Sequence, residues 1–325
     1  MFKINNLLFI AATAATSVCA QVQTPGDAYP NKPIRVIVPF APGGSLDIIT
    51  RLIAPKTGEA LGQQLIVDNR AGASGNIGSE MVMRAPPDGY TLLTNSLPFV
   101  VNPHIYGKAP YHPINDFAAI GTIASSPSIV TVHPSVPANN IRELIALAQA
   151  KPGALNYASA GVGTNPHVAG ELFNLLAKVN MIPVHFKGGG PGLIAAMSGE
   201  VSATFTNSAE TSGFIRAKKL KALAVTSAKR ISAFPELPTV AESGLPGYEF
   251  TTWFVMAAPL KTSRAIVTQL NEALRKTLSA ADLNRMFNDR GIDAMGGTPE
   301  AAVEFLKREN NRWAKLVKER AIRAD

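Results

Sequence analysis

The feature that most constrains this fold is an alternation of short apolar, β-branched runs with segments whose apolar residues recur at helical spacing. Residues 34–39 (IRVIVP) form the first run, and a helical pattern begins after a Gly-rich turn at Leu46. Further runs follow at residues 64–68 and 90–95, with a helical segment at 75–84 between them. Strand, helix and strand in this order predict a parallel sheet with helices on its faces.

A second series of the same kind occupies the middle of the chain. Strands are predicted at residues 128–133, 156–160, 182–186, 202–206 and 220–226, and helices at 141–150, 166–179, 192–199 and 209–218. Residues 251–258 are extended, and three helices follow at 264–278, 281–289 and 299–319. Two series predict two lobes with a ligand cleft between them, and the chain is expected to cross near residues 125–128 and 249–253.

Composition excludes several classes of protein. Hydrophobic residues make up 46% of the 325 residues and charged residues 17%, which excludes a disordered chain. A single Cys excludes a disulfide scaffold. The net charge of +8 is spread thinly, without a Lys/Arg block, so no nucleic-acid partner is expected.

The N-terminus is typical of a signal peptide. Lys3 precedes a short apolar run at residues 7–18, and Val18-Cys19-Ala20 ends in small residues that predict cleavage after Ala20. Two alternatives stay open: a buried N-terminal helix, or a lipoprotein cleaved before Cys19. No later segment is long enough to span a membrane, so we expect an exported protein without direct membrane insertion.

Three Gly-rich turns join a predicted strand to a predicted helix: residues 40–47 (FAPGGSLD), 159–167 (SAGVGTNPH) and 187–192 (KGGGPG). The free N–H groups and the dipole of a helix N-terminus favour a carboxylate or phosphate, and Ser45, Ser159 and Thr164 add hydroxyl groups. For any one turn, ordinary helix capping explains the same residues. All three turns lie at the strand ends where open α/β sheets bind ligands, which favours an anion site.

Motifs of other functions are absent from the sequence. No turn ends as a P-loop does, no dinucleotide fingerprint is complete, and there is no nucleophile elbow or zinc-protease motif. The five histidines are too scattered for a local metal site, so no metal and no cofactor is expected. His167 and His185 lie beside candidate turns, and either is a candidate general base if the chain is an enzyme.

The motifs together resemble the Bug-type extracytoplasmic solute-binding proteins of tripartite tricarboxylate transporters. The likeness covers nearly all of the chain after residue 20, through residues 33–35, 38–45, Asp47, Arg51, 69–78, 87–92, 155–159, 223–226 and 238–242. The resemblance implies an α/β, two-lobed Venus-flytrap fold like that of type II periplasmic binding proteins, with a sheet flanked by helices in each lobe. It also implies that the turns at 40–45 and 159–167 hold a ligand carboxylate, mainly through backbone amides and partly through bridging waters.

These arguments predict the lobes and the binding residues. Lobe 1 is expected to comprise residues 30–126 and 252–325, and lobe 2 residues 127–251. Ser96 after the strand 90–95 and Asn207 at the end of the segment 201–207 complete the predicted set. The expected ligand-binding residues are Phe40, Ala41, Pro42, Gly43, Gly44, Ser45, Asp47, Ser96, Ser159, Ala160, Gly161, Gly163, Thr164, His167, Lys187, Gly188, Gly189 and Asn207.

The sequence departs from the family pattern at residues 201–207 (VSATFTN), because Ser202 and Thr206 stand where family members often carry Asp. A ligand with an ammonium group or several hydroxyl donors facing Thr206 is therefore not expected. The predicted function is a non-enzymatic periplasmic protein that binds a small organic carboxylate and delivers it to membrane permease subunits. An exported enzyme and a ligand sensor on the same fold are the alternatives.

Overall fold

The computed structural model describes residues 29–107, 109–319 and 322–324. The predicted signal peptide, residues 1–20, lies outside them. In chain order the first elements are β1 (Ile34–Val38), α1 (Ser45–Leu61), β2 (Leu65–Asn69), α2 (Asn76–Met83), β3 (Thr91–Asn95) and α3 (Pro98–Ile105). A short 3-10 helix, Ala73–Gly75, precedes α2.

The middle of the chain contains the long strand β4 and one alternating series of helices and strands. These elements are β4 (Phe117–Val132), α4 (Ile141–Ala150), β5 (Asn156–Ser159), α5 (Asn165–Ala177), β6 (Ile182–His185), α6 (Gly189–Ser198), β7 (Ala203–Asn207), α7 (Ser208–Arg216) and β8 (Lys221–Val225). The C-terminal elements are β9 (Thr251–Pro259), α8 (Arg264–Leu278), α9 (Ala281–Asn288), β10 (Asp293–Gly296) and α10 (Pro299–Glu319).

The parallel pairing predicted from the strand–helix alternation is present in both lobes. In lobe 1, β1 lies between β2 and β3 and is parallel to both. In lobe 2, β5 lies between β6 and β7 and is parallel to both. Each parallel strand is short and is followed by a helix, as a crossover connection requires.

The strand β4 connects the two lobes, and the sequence prediction of a strand at 128–133 was too short. Its first part pairs with β9 as far as Pro127, opposite Thr251, and its second part pairs with β7 and β8 from Ser128 onward. Pro127 has no N–H group, and it is tolerated because it lies where β4 changes partners. These positions adjoin the predicted lobe boundaries, which stay a prediction.

One buried core is shared by the lobes on the side of α3, α5 and α10. The aromatic side chains of Phe173 and Phe205 in lobe 2 belong to the same apolar cluster as Phe99 and Trp253 in lobe 1. A second cluster, built on β1 and α1, fills the other face of the lobe 1 sheet. The lobes lie side by side on this shared core, and their strand ends meet at the turns that precede α1, α5 and α6.

Candidate functional site

The turn before α1 is held by Asp47. Its Oδ2 accepts a hydrogen bond from the Gly43 N–H (3.0 Å), and its Oδ1 accepts one from Asn69 Nδ2 (2.9 Å). The same Asn69 amide donates to the Phe40 carbonyl (3.0 Å), and Arg51 Nε donates to Asp47 Oδ1 (2.9 Å). Gly43 has φ +84°, a left-handed conformation that favours glycine. Asp47 therefore positions the turn.

Asp47 is ionised in this arrangement. Burial would raise the pKa of its carboxyl, but the hydrogen bonds from Arg51, the Gly43 N–H and Asn69 outweigh burial and lower the pKa below its usual value. The negative charge at the third residue of α1 also suits the positive end of the helix dipole.

The turn before α5 uses its own hydroxyl groups internally. Thr164 Oγ1 donates to the Gly161 carbonyl (2.6 Å), and Ser159 Oγ donates to the same carbonyl (3.0 Å). The Gly163 N–H donates to His167 Nδ1 (3.1 Å). Because each hydroxyl has one proton, the α5 N–H groups that lack a helical partner are better placed than these side chains to donate to a ligand.

The two histidines beside this turn lie next to each other. Their rings lie 5.1 Å apart, and His185 Nδ1 lies 2.9 Å from Ser159 Oγ. Burial, and then the neighbouring His185, lowers the pKa of His167 to about 4, so its ring is neutral at pH 7. Ser159 is 1% exposed and is bonded within its own turn, so its hydroxyl has no open approach for a substrate.

The turn before α6 touches the turn before α1. Gly188 has φ +117°, and a Cβ there would lie 3.2 Å from the Ala41 Cβ. The helix α6 begins at Gly189, three residues earlier than predicted, because Gly189 and Gly190 adopt helical conformation. Lys187, which precedes these glycines, is exposed.

A cavity between the lobes, the cleft cavity, has a volume of about 40 Å³ and opens to solvent. Five helices begin at its wall. The wall contains the first residues of α1, α3, α5 and α6, which are Ser45, Pro98, Asn165 and Gly189. It also contains Asn207, the N-cap of α7. The dipoles of these helices and the N–H groups at their starts that have no partner make this wall favourable for an anion, although Pro98 itself has no N–H group. None of the residues that line it is Lys, Arg or His.

The structure brings together eight of the eighteen predicted binding residues at this cavity. They are Phe40, Gly44, Ser45, Ser96, Ala160, Thr164, Gly189 and Asn207. Four others line an adjoining cavity on the far side of Phe40: Ala41, Gly161, Lys187 and Gly188. The remaining six line neither cavity and lie in the supporting turns: Pro42, Gly43, Asp47, Ser159, Gly163 and His167.

Five residues of the cleft cavity were not predicted: Leu46, Pro98, Asn165, Pro166 and Glu210. Among these five residues, Glu210 is the one with an ionisable side chain. Its Oε1 accepts a hydrogen bond from the Ser45 N–H (2.7 Å) across the cleft, and its Oε2 is buried without a hydrogen-bond partner. In the sequence it is an acidic residue in the first turn of a helix, a pattern that helix-dipole stabilisation already explains.

The environment of Glu210 favours its protonated form. Burial raises the pKa of this carboxyl to about 7, although the hydrogen bonds from Ser45 act in the opposite direction. The residue as a whole keeps some exposed surface, on the side of the cavity, while its Oε2 atom is enclosed.

Within the described ranges, no group of three or more His, Cys, Asp or Glu side chains is arranged to hold a metal ion. None of the helices in those ranges combines the length and the apolar character that a bilayer span requires.

Comparison with known proteins gives the family of the chain. Residues 49–322 match the model of the tripartite tricarboxylate transporter family receptor. A UPF0065 protein from the tcbD-tcbE intergenic region of Pseudomonas sp. (strain P51) is 39% identical over 300 residues, which cover 92% of this chain and 89% of the relative.

Solved structures agree with this assignment. The periplasmic binding protein BugD superposes with a TM-score of 0.88 at 31% identity, covering 91% of this chain and 100% of BugD. The R. palustris protein Rpa4515, solved with adipate, superposes with a TM-score of 0.88 at 34% identity, covering 91% and 99%. The fold is the two-lobed α/β fold of periplasmic binding proteins, and the chain belongs to the Bug-type receptors of the tripartite tricarboxylate transporter family.

Proposed function

We propose that the protein is a periplasmic solute-binding receptor that holds a small organic carboxylate in the cleft cavity and delivers it to the membrane permease subunits of a tripartite transporter. The observation that carries this proposal is the convergence of five helix N-termini at one cavity between the lobes. The binding of adipate by the related protein Rpa4515 supports a carboxylate as the ligand class.

The carboxylate would be held without an ion pair. Because no cationic side chain lines the cleft cavity, N–H groups at the helix starts must balance the charge, assisted by dipoles worth up to about 2 kcal/mol in buried sites. Lys187, the nearest predicted cation, is exposed at the adjoining cavity. Backbone recognition of this kind fixes the position of a carboxylate and leaves the rest of the ligand to other side chains.

The rest of the proposal concerns export and closure. We infer cleavage after Ala20 and release into the periplasm. We also infer that residues 30–126 with 252–325 move against residues 127–251 when the ligand binds. The change of β4 partners at Pro127 and Ser128 supports a hinge at this place.

A thermal-shift and calorimetry screen of carboxylic acids, each paired with its primary amide, tests the function. We expect at least one acid to raise the unfolding temperature, because a ligand that binds only the folded state stabilises it by about 2.7 kcal/mol at a hundredfold excess over Kd. The paired amide should not raise the unfolding temperature. Equal affinity for an acid and its amide would contradict the proposal.

The variant Lys187→Met is the control for an ion pair. We expect it to lose less than about tenfold in affinity, or about 1.4 kcal/mol, because the helix starts hold the carboxylate. A hundredfold loss would mean that Lys187 is the anchor instead.

A further inference from the structure

Glu210 occupies part of the anion site that the helix starts create. Its Oε1 accepts the Ser45 N–H at 2.7 Å, so the first N–H group of α1 already has a carboxylate partner supplied by lobe 2. A Cβ at Gly189, the first residue of α6, would overlap Glu210 Oε2. The side chain therefore lies between the N-termini of α1 and α6.

The second oxygen of Glu210 has no partner. Oε2 is buried, and no hydrogen bond reaches it from any described residue. A buried acceptor without a donor is costly, so the carboxyl group of Glu210 is held in an unfavourable environment. Asn165 Oδ1 at the same cavity is also unpartnered, but rotation of an amide can present Nδ2 instead.

No cation among the described residues neutralises Glu210. Its helix α7 packs against α1, α6, β4 and β7, and the last three elements contain no ionisable residue. On α1, Asp47 and Arg51 pair with each other and Lys56 pairs with Asp282; Glu59 is the only other ionisable residue there. On α7 itself, Arg216 bonds to the Asp289 carbonyl.

The residues that line the cleft cavity differ in what they offer a ligand. Near Thr164 and Asn165, the start of α5 offers N–H groups without helical partners, which suit the carboxylate of a ligand. Near Glu210, the cavity presents an acceptor that repels a second carboxylate and attracts a hydrogen-bond donor.

We propose that Glu210 makes the receptor selective for monocarboxylates that carry an amino or hydroxyl donor at the other end, over dicarboxylates of the same length. This inference rests on the proposed function, since it names the ligand class of the same cavity. Such a ligand places its donor against the part of the Glu210 carboxyl group that lines the cavity and its carboxylate at the start of α5.

The test measures binding of two sets of acids by calorimetry at pH 8. All acids within a set have the same number of carbon atoms, and affinities are compared within each set. The first set is butanoate, 4-hydroxybutanoate, 4-aminobutanoate and succinate; the second is hexanoate, 6-hydroxyhexanoate, 6-aminohexanoate and adipate. We expect the amino or hydroxy acid of one set to bind at least tenfold more tightly than the dicarboxylate of that set.

The variant Glu210→Gln keeps an oxygen for the Ser45 N–H and removes the negative charge. We expect it to reduce or reverse the preference over the dicarboxylate by at least tenfold. Glu200→Gln, an equal charge change at an exposed residue beyond α6, is the matched control and should leave the preference unchanged.

If Glu210→Gln does not fold, the pH dependence of ligand affinity in the wild-type protein tests the same inference. Because burial raises the pKa of Glu210 to about 7, the side chain is protonated at pH 5.5 and ionised at pH 8. The dicarboxylate should therefore gain affinity relative to the amino acid at pH 5.5.

The outcomes separate the two proposals. A dicarboxylate that binds as tightly as its amino and hydroxy partners, with no effect of pH or of Glu210→Gln, overturns the role of Glu210 and leaves carboxylate binding intact. Binding of none of these eight acids, nor of any acid in the wider screen, overturns the proposed function and this inference with it.

Discussion

The pKa values of two ionisable side chains near the cleft are shifted in opposite directions. Burial raises the pKa of Glu210 from 4.5 to about 7 and lowers the pKa of His167 from 6.5 to about 4, because burial disfavours the charged form of each. His167 accepts the Gly163 N–H and so positions a turn, whereas Glu210 lines the cavity itself. Residue type alone therefore does not predict whether a side chain positions a turn or lines the cavity.

These shifts predict an effect of pH on the free energy of unfolding. Folded Glu210 keeps its proton between pH 4.5 and about 7, where the unfolded chain releases it, so its contribution to stability falls as pH rises through this range. The contribution of His167 rises between about pH 4 and 6.5 and opposes it.

Urea unfolding of the wild type and Glu210→Gln from pH 4.5 to 8 isolates the Glu210 contribution. The stability of the wild type relative to the variant should be highest at the acid end, decline toward pH 7 and stay level above it. A difference that is constant with pH would contradict the raised pKa.

At the scale of elements, the start of α6 determines where Glu210 lies. Gly189 and Gly190 are neighbours in the first turn of α6, and neither has a left-handed φ. A Cβ at Gly189 would overlap the Glu210 carboxylate, whereas a Cβ at Gly190 would come no closer than 3.5 Å to another atom, the Pro42 carbonyl oxygen. A methyl group at Gly189 would therefore displace the Glu210 side chain, whereas a methyl group at Gly190 would not.

We predict that Gly189→Ala changes ligand affinity at least tenfold, because the added methyl group pushes Glu210 from its place. Gly190→Ala should change it less than threefold and serves as the control, since alanine suits a helix better than glycine at either position. Calorimetry with the best ligand of the screen measures both. Equal effects of the two substitutions would contradict a fixed position for Glu210.

At the scale of the whole molecule, stability and ligand binding depend on different regions. Trp253 of β9 and Trp313 of α10 are each 3% exposed, and both indole N–H groups donate to Glu309 Oε2, at 2.7 and 2.8 Å. This shared acceptor fastens α10 to the sheet of lobe 1. Glu309 lines no part of the cleft cavity.

We predict that Glu309→Ala lowers the free energy of unfolding by roughly 2–6 kcal/mol, since each buried donor left unpaired costs about 1–3 kcal/mol. Glu309→Gln keeps an acceptor and should cost less. Ligand affinity of the folded protein should stay within twofold in both variants. Denaturant unfolding and calorimetry measure the two quantities, and a parallel loss of affinity would show that the regions are coupled.

The sequence by itself determined the local elements and the turns of the site. The strands β1 to β3 and β5 to β8 and the helices that follow most of them lie within about three residues of their predicted ends, because periods of 2 and 3.6 depend on neighbouring residues. The turns before α1, α5 and α6 were found in the same way, since their glycines are a local requirement of the backbone.

Only the tertiary structure decided what these elements do together. The first half of β4, with its Gly121 and Pro127, and the short strand β10 become strands through pairing with distant partners, and their own sequences do not predict it. The hydroxyl groups of Ser159 and Thr164 turn inward to the Gly161 carbonyl, and Glu210 meets Ser45 across 165 positions of chain. Local patterns cannot show such contacts, because burial and a partner's position depend on how the two lobes close on each other.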